Sequence, residues 1–66
     1  MNVTINGEFR HVPDGITVLQ LLDILKITAT RVAVELNLEI VPKSTYAERI
    51  LQDNDRIEIV HFVGGG

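Results

Sequence analysis

Residues 13–25 read PDGITVLQLLDIL, and this stretch decides the fold because it places one helix between predicted strands. Its first three residues are typical of a turn. Thr17 and Gln20 then have the spacing of a capping box, in which each side chain bonds a free backbone N–H of the other residue. We expect the helix to begin at Thr17 and to end near Lys26. Its apolar face is predicted to consist of Val18, Leu21, Leu22 and Leu25.

A β-hairpin is predicted before this helix. Residues 3–5 alternate apolar and polar side chains, which is the period of a half-buried strand. Asn6-Gly7 follows, and this pair favours a tight turn because both residues tolerate positive φ. The second strand, residues 8–12, has two possible registers: a two-residue turn puts Arg10 on the core face, whereas a bulged turn brings Phe9 inward. We predict the bulged turn.

Three more strands are predicted after the helix. Residues 32–37 alternate in the strand period, and residues 40–41, which a proline follows, indicate a short strand at a sheet edge. Residues 43–51 predict one or two helical turns. The last strand is predicted to begin at Arg56. Its two faces carry Ile57, Ile59, His61 and Val63 on one side and Glu58, Val60 and Phe62 on the other.

The order of these elements restricts the fold. Two strands, a helix and three strands cannot form an all-parallel sheet, because strands joined by a hairpin are antiparallel. A right-handed crossover places the helix on one face of the sheet. The sequence therefore predicts a small α+β domain over residues 1–66, with a mixed sheet of four to five strands.

The composition narrows the range of functions. Nine acidic and six basic residues give a net charge of −3, and the bases are scattered, so we expect no nucleic acid partner. The absence of cysteine excludes disulfides and a thiolate zinc site. The longest apolar run is Val32-Ala33-Val34, whereas a membrane helix needs about 20 residues. With no signal-peptide pattern at its start, the chain is predicted to be cytoplasmic and to have no membrane partner.

No group of side chains in the sequence has the pattern of an active site. No nucleophile has an evident base, and no glycine loop opens a helix. His11 and His61 lack the spacing of metal ligands, so no metal site is expected. Asp53 and Asp55 resemble part of a calcium loop whose other ligands are missing, and a solvated turn is expected there. We therefore expect neither an enzyme nor a bound cofactor.

The three glycines at the end, Gly64, Gly65 and Gly66, indicate function more clearly. Glycine adds no packing and loses much backbone entropy on ordering, so stability does not explain them. Residues 64–66 are predicted to form a flexible tail that reaches about 10 Å and fits a narrow tunnel. The terminal carboxylate is ionised at neutral pH and unreactive, so a partner enzyme must activate it, for example as a mixed anhydride with a nucleotide phosphate.

Six motifs are spread over the whole chain: NG at 6–7, PDG at 13–15, VAVELN at 32–37, IVP at 40–42, DNDR at 53–56 and VHFVGGG at 60–66. Together they resemble the ThiS family, the sulfur carriers of thiamine biosynthesis. The last motif is the most specific. The resemblance implies a single ubiquitin-like β-grasp domain, with parallel first and last strands at the centre of the sheet and the helix packed across it. Leu38, where the family usually has glycine, and Arg10, where an apolar residue is common, depart from the pattern.

The resemblance also implies a function for the tail. An E1-like adenylyltransferase (ThiF-like) would use ATP and magnesium to adenylate the carboxylate of Gly66, and a cysteine desulfurase pathway would convert it to a thiocarboxylate. Gly66 would then deliver sulfur to thiazole synthase (ThiG-like), with the chain as a co-substrate and not an enzyme. Gly65 completes the family's diglycine, and Gly64 extends the reach. The candidate partner-contact residues are Phe62, Val60 and Val63.

Other functions share part of this pattern. The small subunit of molybdopterin synthase is a sulfur carrier of the same fold, although the chain length and the His61-Phe62-Val63 ending favour the ThiS family. A ubiquitin-like protein modifier would be activated by the same chemistry and joined to a lysine of a target. A plain β-grasp interaction module would need no tail, so its function would survive the loss of Gly65 and Gly66.

Overall fold

The computed structural model describes residues 1–62. Val63 and the three tail glycines, whose roles and flexibility were predicted above, lie outside this range. The described part contains five strands, one α-helix and two short 3-10 turns. The elements are β1 (Asn2–Ile5), β2 (Glu8–His11), α1 (Val18–Ile24), a 3-10 turn (Ala29–Arg31), β3 (Val32–Leu36), β4 (Glu39–Val41), a second 3-10 turn (Lys43–Thr45) and β5 (Arg56–His61).

The five strands form one mixed sheet in the order β2-β1-β5-β3-β4. β1 and β5 are parallel neighbours, and the other three pairs are antiparallel. The last strand thus lies at the centre of the sheet, between the first and the third. This arrangement confirms the predicted mixed sheet, with its first and last strands parallel and central and its short fourth strand at an edge.

The hydrophobic core lies between α1 and one face of this sheet. Three helix residues, Val18, Leu21 and Leu22, are each 1% exposed. Burial of one such side chain stabilises the fold by roughly 1.5 to 3 kcal/mol, so the helix adds substantially to a small core. The sheet contributes Val3, Ile5, Val32, Val34, Leu36, Val41, Ile57 and Ile59, and the connecting segments contribute Val12, Ile16, Tyr46 and Leu51.

Both ends of α1 are closed by local hydrogen bonds. The predicted capping box is present: the Gln20 N–H donates to the Thr17 hydroxyl at 3.1 Å, and the Thr17 N–H donates to the Gln20 carboxamide oxygen at 2.9 Å. The C-terminal end comes slightly before the predicted end at Lys26, which has a φ of 58°. The Ile27 N–H donates a hydrogen bond to the Leu22 carbonyl at 2.9 Å, and this bond closes the last helical turn.

The predicted bulge in the first hairpin is wrong. Val3 pairs with Arg10 and Thr4 pairs with Phe9, so the turn contains only Asn6-Gly7, with φ values of 50° and 84°. A turn with two positive φ values matches the twist of the strands without an extra residue. Phe9 consequently lies on the outer face of the sheet and is 79% exposed. Arg10 faces the helix side but is also exposed, because β2 is an edge strand.

The helical turn predicted in residues 43–51 is present as the short 3-10 turn Lys43–Thr45, which hydrogen-bonded turns follow, and Tyr46 and Leu51 are buried as core residues. One loop prediction needs correction. Asp55 is not solvated.

The Asp55 side chain joins two loops. It is 9% exposed, and its two carboxylate oxygens accept hydrogen bonds from Asn37 Nδ2 at 3.0 Å and from the Gln52 N–H at 2.8 Å. Asp53, in contrast, is exposed and accepts a hydrogen bond from the Asn2 N–H at 2.8 Å. Asp55 therefore has a structural role, because its hydrogen bonds connect the loop before β5 to the turn after β3.

Two further features concern the described part of the chain as a whole. Within residues 1–62, no helix is long and apolar enough to cross a membrane. Over the same residues, no three side chains of the metal-binding types come together as a possible site.

Candidate functional site

The candidate site is the end of β5, from which the chain continues toward the three glycines. We call residues 59–62 the tail root. On the β3 side, His61 pairs with Val32, and the Phe62 N–H donates to the Arg31 carbonyl at 2.9 Å. The backbone ladder on this side therefore extends to the last described residue.

The other side of the tail root is held differently, because β1 is too short to follow β5 to its end. The last residue pair of the parallel ladder is Ile5 with Ile57, and the Asn6 N–H donates to the Ile57 carbonyl at 2.9 Å. Beyond it, the Asn6 carboxamide bonds the main chain of Ile59. The Ile59 N–H donates to Oδ1 at 2.7 Å, and Nδ2 donates to the Ile59 carbonyl at 3.1 Å.

Two residues of the tail root form an apolar patch on the outer face of the sheet, which α1 does not cover. Val60 and Phe62, two predicted partner-contact residues, are 55% and 53% exposed. Ala33 lies opposite Val60 on β3 and is half-buried. Exposed apolar side chains next to a functional segment are typical of an interaction surface. Contact of these residues with a partner stays a prediction.

A lysine from the loop after β4 fixes the position of Phe62. Lys43 Nζ lies 4.8 Å from the centroid of the Phe62 ring and also donates to the Thr30 carbonyl at 3.2 Å. A cation over an aromatic face at an exposed site contributes about 0.5 to 1 kcal/mol. The ring is therefore partly held in place before any partner arrives.

Negative charge lies beside the apolar patch. Glu35 on β3 and Glu58 on β5 lie directly opposite each other on the outer face, and both are half-buried. Among residues 1–62 the structure shows no ion pair for either carboxylate. Like charges in opposed positions destabilise a sheet, so packing within this chain does not explain the pair.

A comparison with protein families matches residues 3–66 to the ThiS family. The chain belongs to the ThiS family. It is 50% identical over 50 residues to the sulfur carrier protein ThiS of Bacillus subtilis, an alignment that covers 76% of each chain. A crystal structure of the thiamine biosynthesis protein (ThiS) from Geobacter metallireducens has the same fold, with a TM-score of 0.87 and 36% identity over the full length of both chains. This likeness confirms the predicted β-grasp fold.

The chain is also similar to segments of larger proteins. The chain is 52% identical over its full length to part of the thiazole synthase of Paramagnetospirillum magneticum. It spans about a fifth of the length of that protein and of the thiazole synthase of Magnetococcus marinus, to which it is 42% identical.

The structure brings together only some of the residues that the sequence singled out. Val60 and Phe62 both lie at the end of β5 on the outer face of the sheet, whereas Val63, Gly64, Gly65 and Gly66 lie outside the described residues. Sequence reasoning missed Asn6 and Lys43. Asn6 was interpreted only as a turn residue. The available signal was its carboxamide, because a glycine would also allow the turn but has no side chain to form hydrogen bonds. Lys43 gave no signal, since its contact is 19 residues away in the sequence.

Proposed function

We propose that this ThiS-family chain is a sulfur carrier protein of thiamine biosynthesis, which holds sulfur at the C-terminal carboxylate of Gly66. One observation carries the proposal. The last main-chain bond of the described residues joins Phe62 to Arg31 at the end of a central strand, and Val63 and three glycines come next in the sequence. The carboxylate is thus attached to a rigid element through residues that have almost no side chains.

The chemistry follows from the low reactivity of a carboxylate. An E1-like adenylyltransferase (ThiF-like) that holds ATP and magnesium transfers AMP to the Gly66 carboxylate and releases pyrophosphate. AMP is a good leaving group, so the terminal sulfur of a persulfide from a cysteine desulfurase pathway attacks the acyl carbon and displaces AMP, which leaves with one carboxylate oxygen. A thiol reductant then cleaves the resulting acyl disulfide and leaves a thiocarboxylate. The net change in the chain is one oxygen replaced by one sulfur. The chain contributes the carboxylate and its presentation, and the catalytic groups, ATP and magnesium belong to the partner.

Chain length makes this delivery feasible. Residues 63–66 reach at most about 13 Å beyond Phe62 when extended. A glycine segment has no Cβ, so it passes through a tunnel that is too narrow for other residues. The folded body then stays outside the partner while the Gly66 carboxylate reaches the reacting groups.

The outer face of the sheet is the proposed docking surface. Val60 and Phe62 supply exposed apolar area close to the tail, and Lys43 holds the Phe62 ring. Glu35 and Glu58 add negative charge beside this patch. A partner with basic groups around an apolar centre complements this face, so association should weaken as salt rises.

Thiazole synthase (ThiG-like) is the proposed acceptor of the sulfur. Support comes from the relatives that bear this name and contain a segment similar to this chain over about a fifth of their length. When a sulfur carrier and its acceptor belong to one polypeptide, they meet at a high effective concentration. Such a fusion is favourable for two proteins whose reactions follow one another.

The test is intact-mass analysis of the chain after incubation with the adenylyltransferase, ATP, magnesium, a cysteine desulfurase, cysteine and a thiol reductant. We expect one oxygen to be exchanged for sulfur, with fragment ions that localise the change to Gly66. A variant that lacks Gly66 serves as the control and should remain unmodified. No adenylate and no exchange on the wild-type chain would contradict the proposal, and a bond to a lysine of another protein would favour a protein modifier instead.

A further inference from the structure

The Asn6 side chain occupies an unusual place at the tail root. It lies in the tight turn after β1, where its φ of 50° is in the left-handed region. Its carboxamide nevertheless points along the sheet and bonds both main-chain groups of Ile59, as a strand residue would. Building the turn needs only a residue that tolerates positive φ, so these two bonds are an additional property of asparagine.

The hydrogen-bond pattern of β5 shows why this contact matters. Phe62 bonds toward β3, so alternation turns the main-chain groups of Ile57, Ile59 and His61 toward β1. Ile57 meets the backbone of β1, and Ile59 meets the Asn6 side chain. Within residues 1–62 the main chain of His61 has no partner on this side. Asn6 therefore makes the last bonds on the β1 side before the tail.

We propose that Asn6 is a positioning residue for the C-terminal tail, whose carboxamide anchors Ile59 and so fixes the direction in which β5 leads to Gly66. This inference rests on the proposed function. Without the two bonds, the tail root is held from the β3 side alone, and its end frays more readily. The Gly66 carboxylate then spends less time where it can react.

The expected kinetic effect is specific. The Asn6 carboxamide bonds the main chain of Ile59 and not the side chains of Val60 and Phe62, so we expect its loss to leave the docking surface intact. The variant lowers the fraction of docked molecules in which the carboxylate is correctly placed. A smaller fraction lowers kcat but leaves KM unchanged. A residue that only stabilised the fold would alter neither parameter under conditions where the chain stays folded.

The chain offers a matched control at the opposite end of β5. Asn37 lies in the turn after β3 with a φ of 51°. The Arg56 N–H donates to its Oδ1 at 2.9 Å, and its Nδ2 donates to Asp55 at 3.0 Å. Both asparagines therefore occupy left-handed turn positions and make two side-chain hydrogen bonds, but Asn37 bonds the start of β5 and the loop before it, whereas Asn6 bonds β5 near its end.

The experiment compares Asn6→Gly with Asn37→Gly, since glycine keeps the left-handed turn in both cases. Steady-state adenylation by the E1-like enzyme is measured with each variant as the varied substrate. We expect Asn6→Gly to lower kcat about fivefold with KM within about twofold of wild type, and Asn37→Gly to leave kcat unchanged. Amide hydrogen exchange should become faster at Ile59 in the first variant and at Arg56 in the second.

The outcomes separate this inference from the function on which it rests. If the wild-type chain is not adenylated, the proposed function fails and the inference fails with it. If wild type is adenylated but both variants have the same kcat, or if Asn6→Gly changes only KM, the inference alone is overturned. Unchanged exchange at Ile59 in Asn6→Gly would also overturn it, because the anchor would then not be holding β5.

Discussion

At the scale of single residues, Leu38 stands out because its conformation conflicts with its side chain. The turn between β3 and β4 contains only Asn37 and Leu38, and both have positive φ, 51° and 73°. A Cβ in this region costs roughly 1 to 2 kcal/mol, and Leu38 is 68% exposed, so little packing offsets the strain. The side chain of Leu38 is thus a local source of backbone strain.

We predict that Leu38→Gly raises the free energy of unfolding by about 0.5 to 1 kcal/mol, because relief of strain exceeds the added flexibility of the unfolded chain. Urea denaturation measures the change. Leu38→Ala is the control, since it shortens the side chain but keeps the Cβ, and it should give no gain. Equal gains in the two variants would show that strain is not the cause.

Tyr46 is a second residue whose chemistry conflicts with its place. It is 3% exposed, and its hydroxyl has no hydrogen-bond partner among the described residues. Burial raises the pKa of the Tyr46 hydroxyl above its ordinary value, and the nearby Val34 backbone offsets this only in part. The folded state therefore favours the neutral phenol.

This environment predicts a specific dependence on pH. As pH rises, the Tyr46 hydroxyl loses its proton in the unfolded chain at a lower pH than in the folded chain. Wild-type stability should therefore fall as pH rises from the ordinary tyrosine pKa toward the raised pKa of the folded state. Tyr46→Phe should match or exceed wild-type stability at neutral pH and should lack this component of the alkaline loss. Denaturation of both proteins at neutral and alkaline pH measures the difference, and parallel losses in both would contradict the prediction.

At the scale of elements, α1 shows how far local signals can specify structure. Its seven residues are too few for a stable isolated helix, so it depends on its caps and its buried face. The capping box at Thr17 and the apolar spacing were evident from the sequence because they involve neighbours three or four residues apart. The place of Phe9 was not, because the face on which it lies depends on the register of the hairpin, and the sequence allowed two registers.

We predict that Thr17→Ala lowers the free energy of unfolding by about 1 kcal/mol, because the Gln20 N–H loses its acceptor at the start of the helix. Thermal unfolding by circular dichroism measures the loss. Thr28→Ala is the control, since Thr28 precedes a 3-10 turn without a side-chain cap bond, and it should change stability little. Similar losses in both variants would contradict the role of the capping box.

The outer face of the sheet gives a prediction about β5. Phe62→Ala should raise the KM of the chain for the adenylyltransferase about tenfold and leave kcat near wild type, because a docking contact is lost while the tail is unchanged. Phe9→Ala is a matched control: Phe9 is also an exposed aromatic residue of the outer face, but it lies on the edge strand β2. An equal rise in KM for both variants would show that contact is not centred on the tail root.

At the scale of the whole molecule, one small hydrophobic core supports the central strand β5, which leads to the predicted tail. The order of elements, the mixed sheet and the helix face were predictable because they follow from periodicity, turn residues and topology. The contacts that organise the tail root were not, because they join residues far apart in the sequence: Asn6 with Ile59, and Lys43 with Phe62. The sequence thus predicts a function for residues 64–66, and the structure shows the hydrogen bonds that hold residues 59–62.

The most direct test of the central claim is whether the loaded chain alone can supply sulfur for thiazole formation. The purified thiocarboxylate form is added in measured amounts to thiazole synthase with its other substrates, and with no cysteine or desulfurase. The account predicts thiazole up to one equivalent per loaded chain, and none from a chain with one residue appended after Gly66. Thiazole formed equally with the unloaded chain, or none formed with the loaded one, would contradict it.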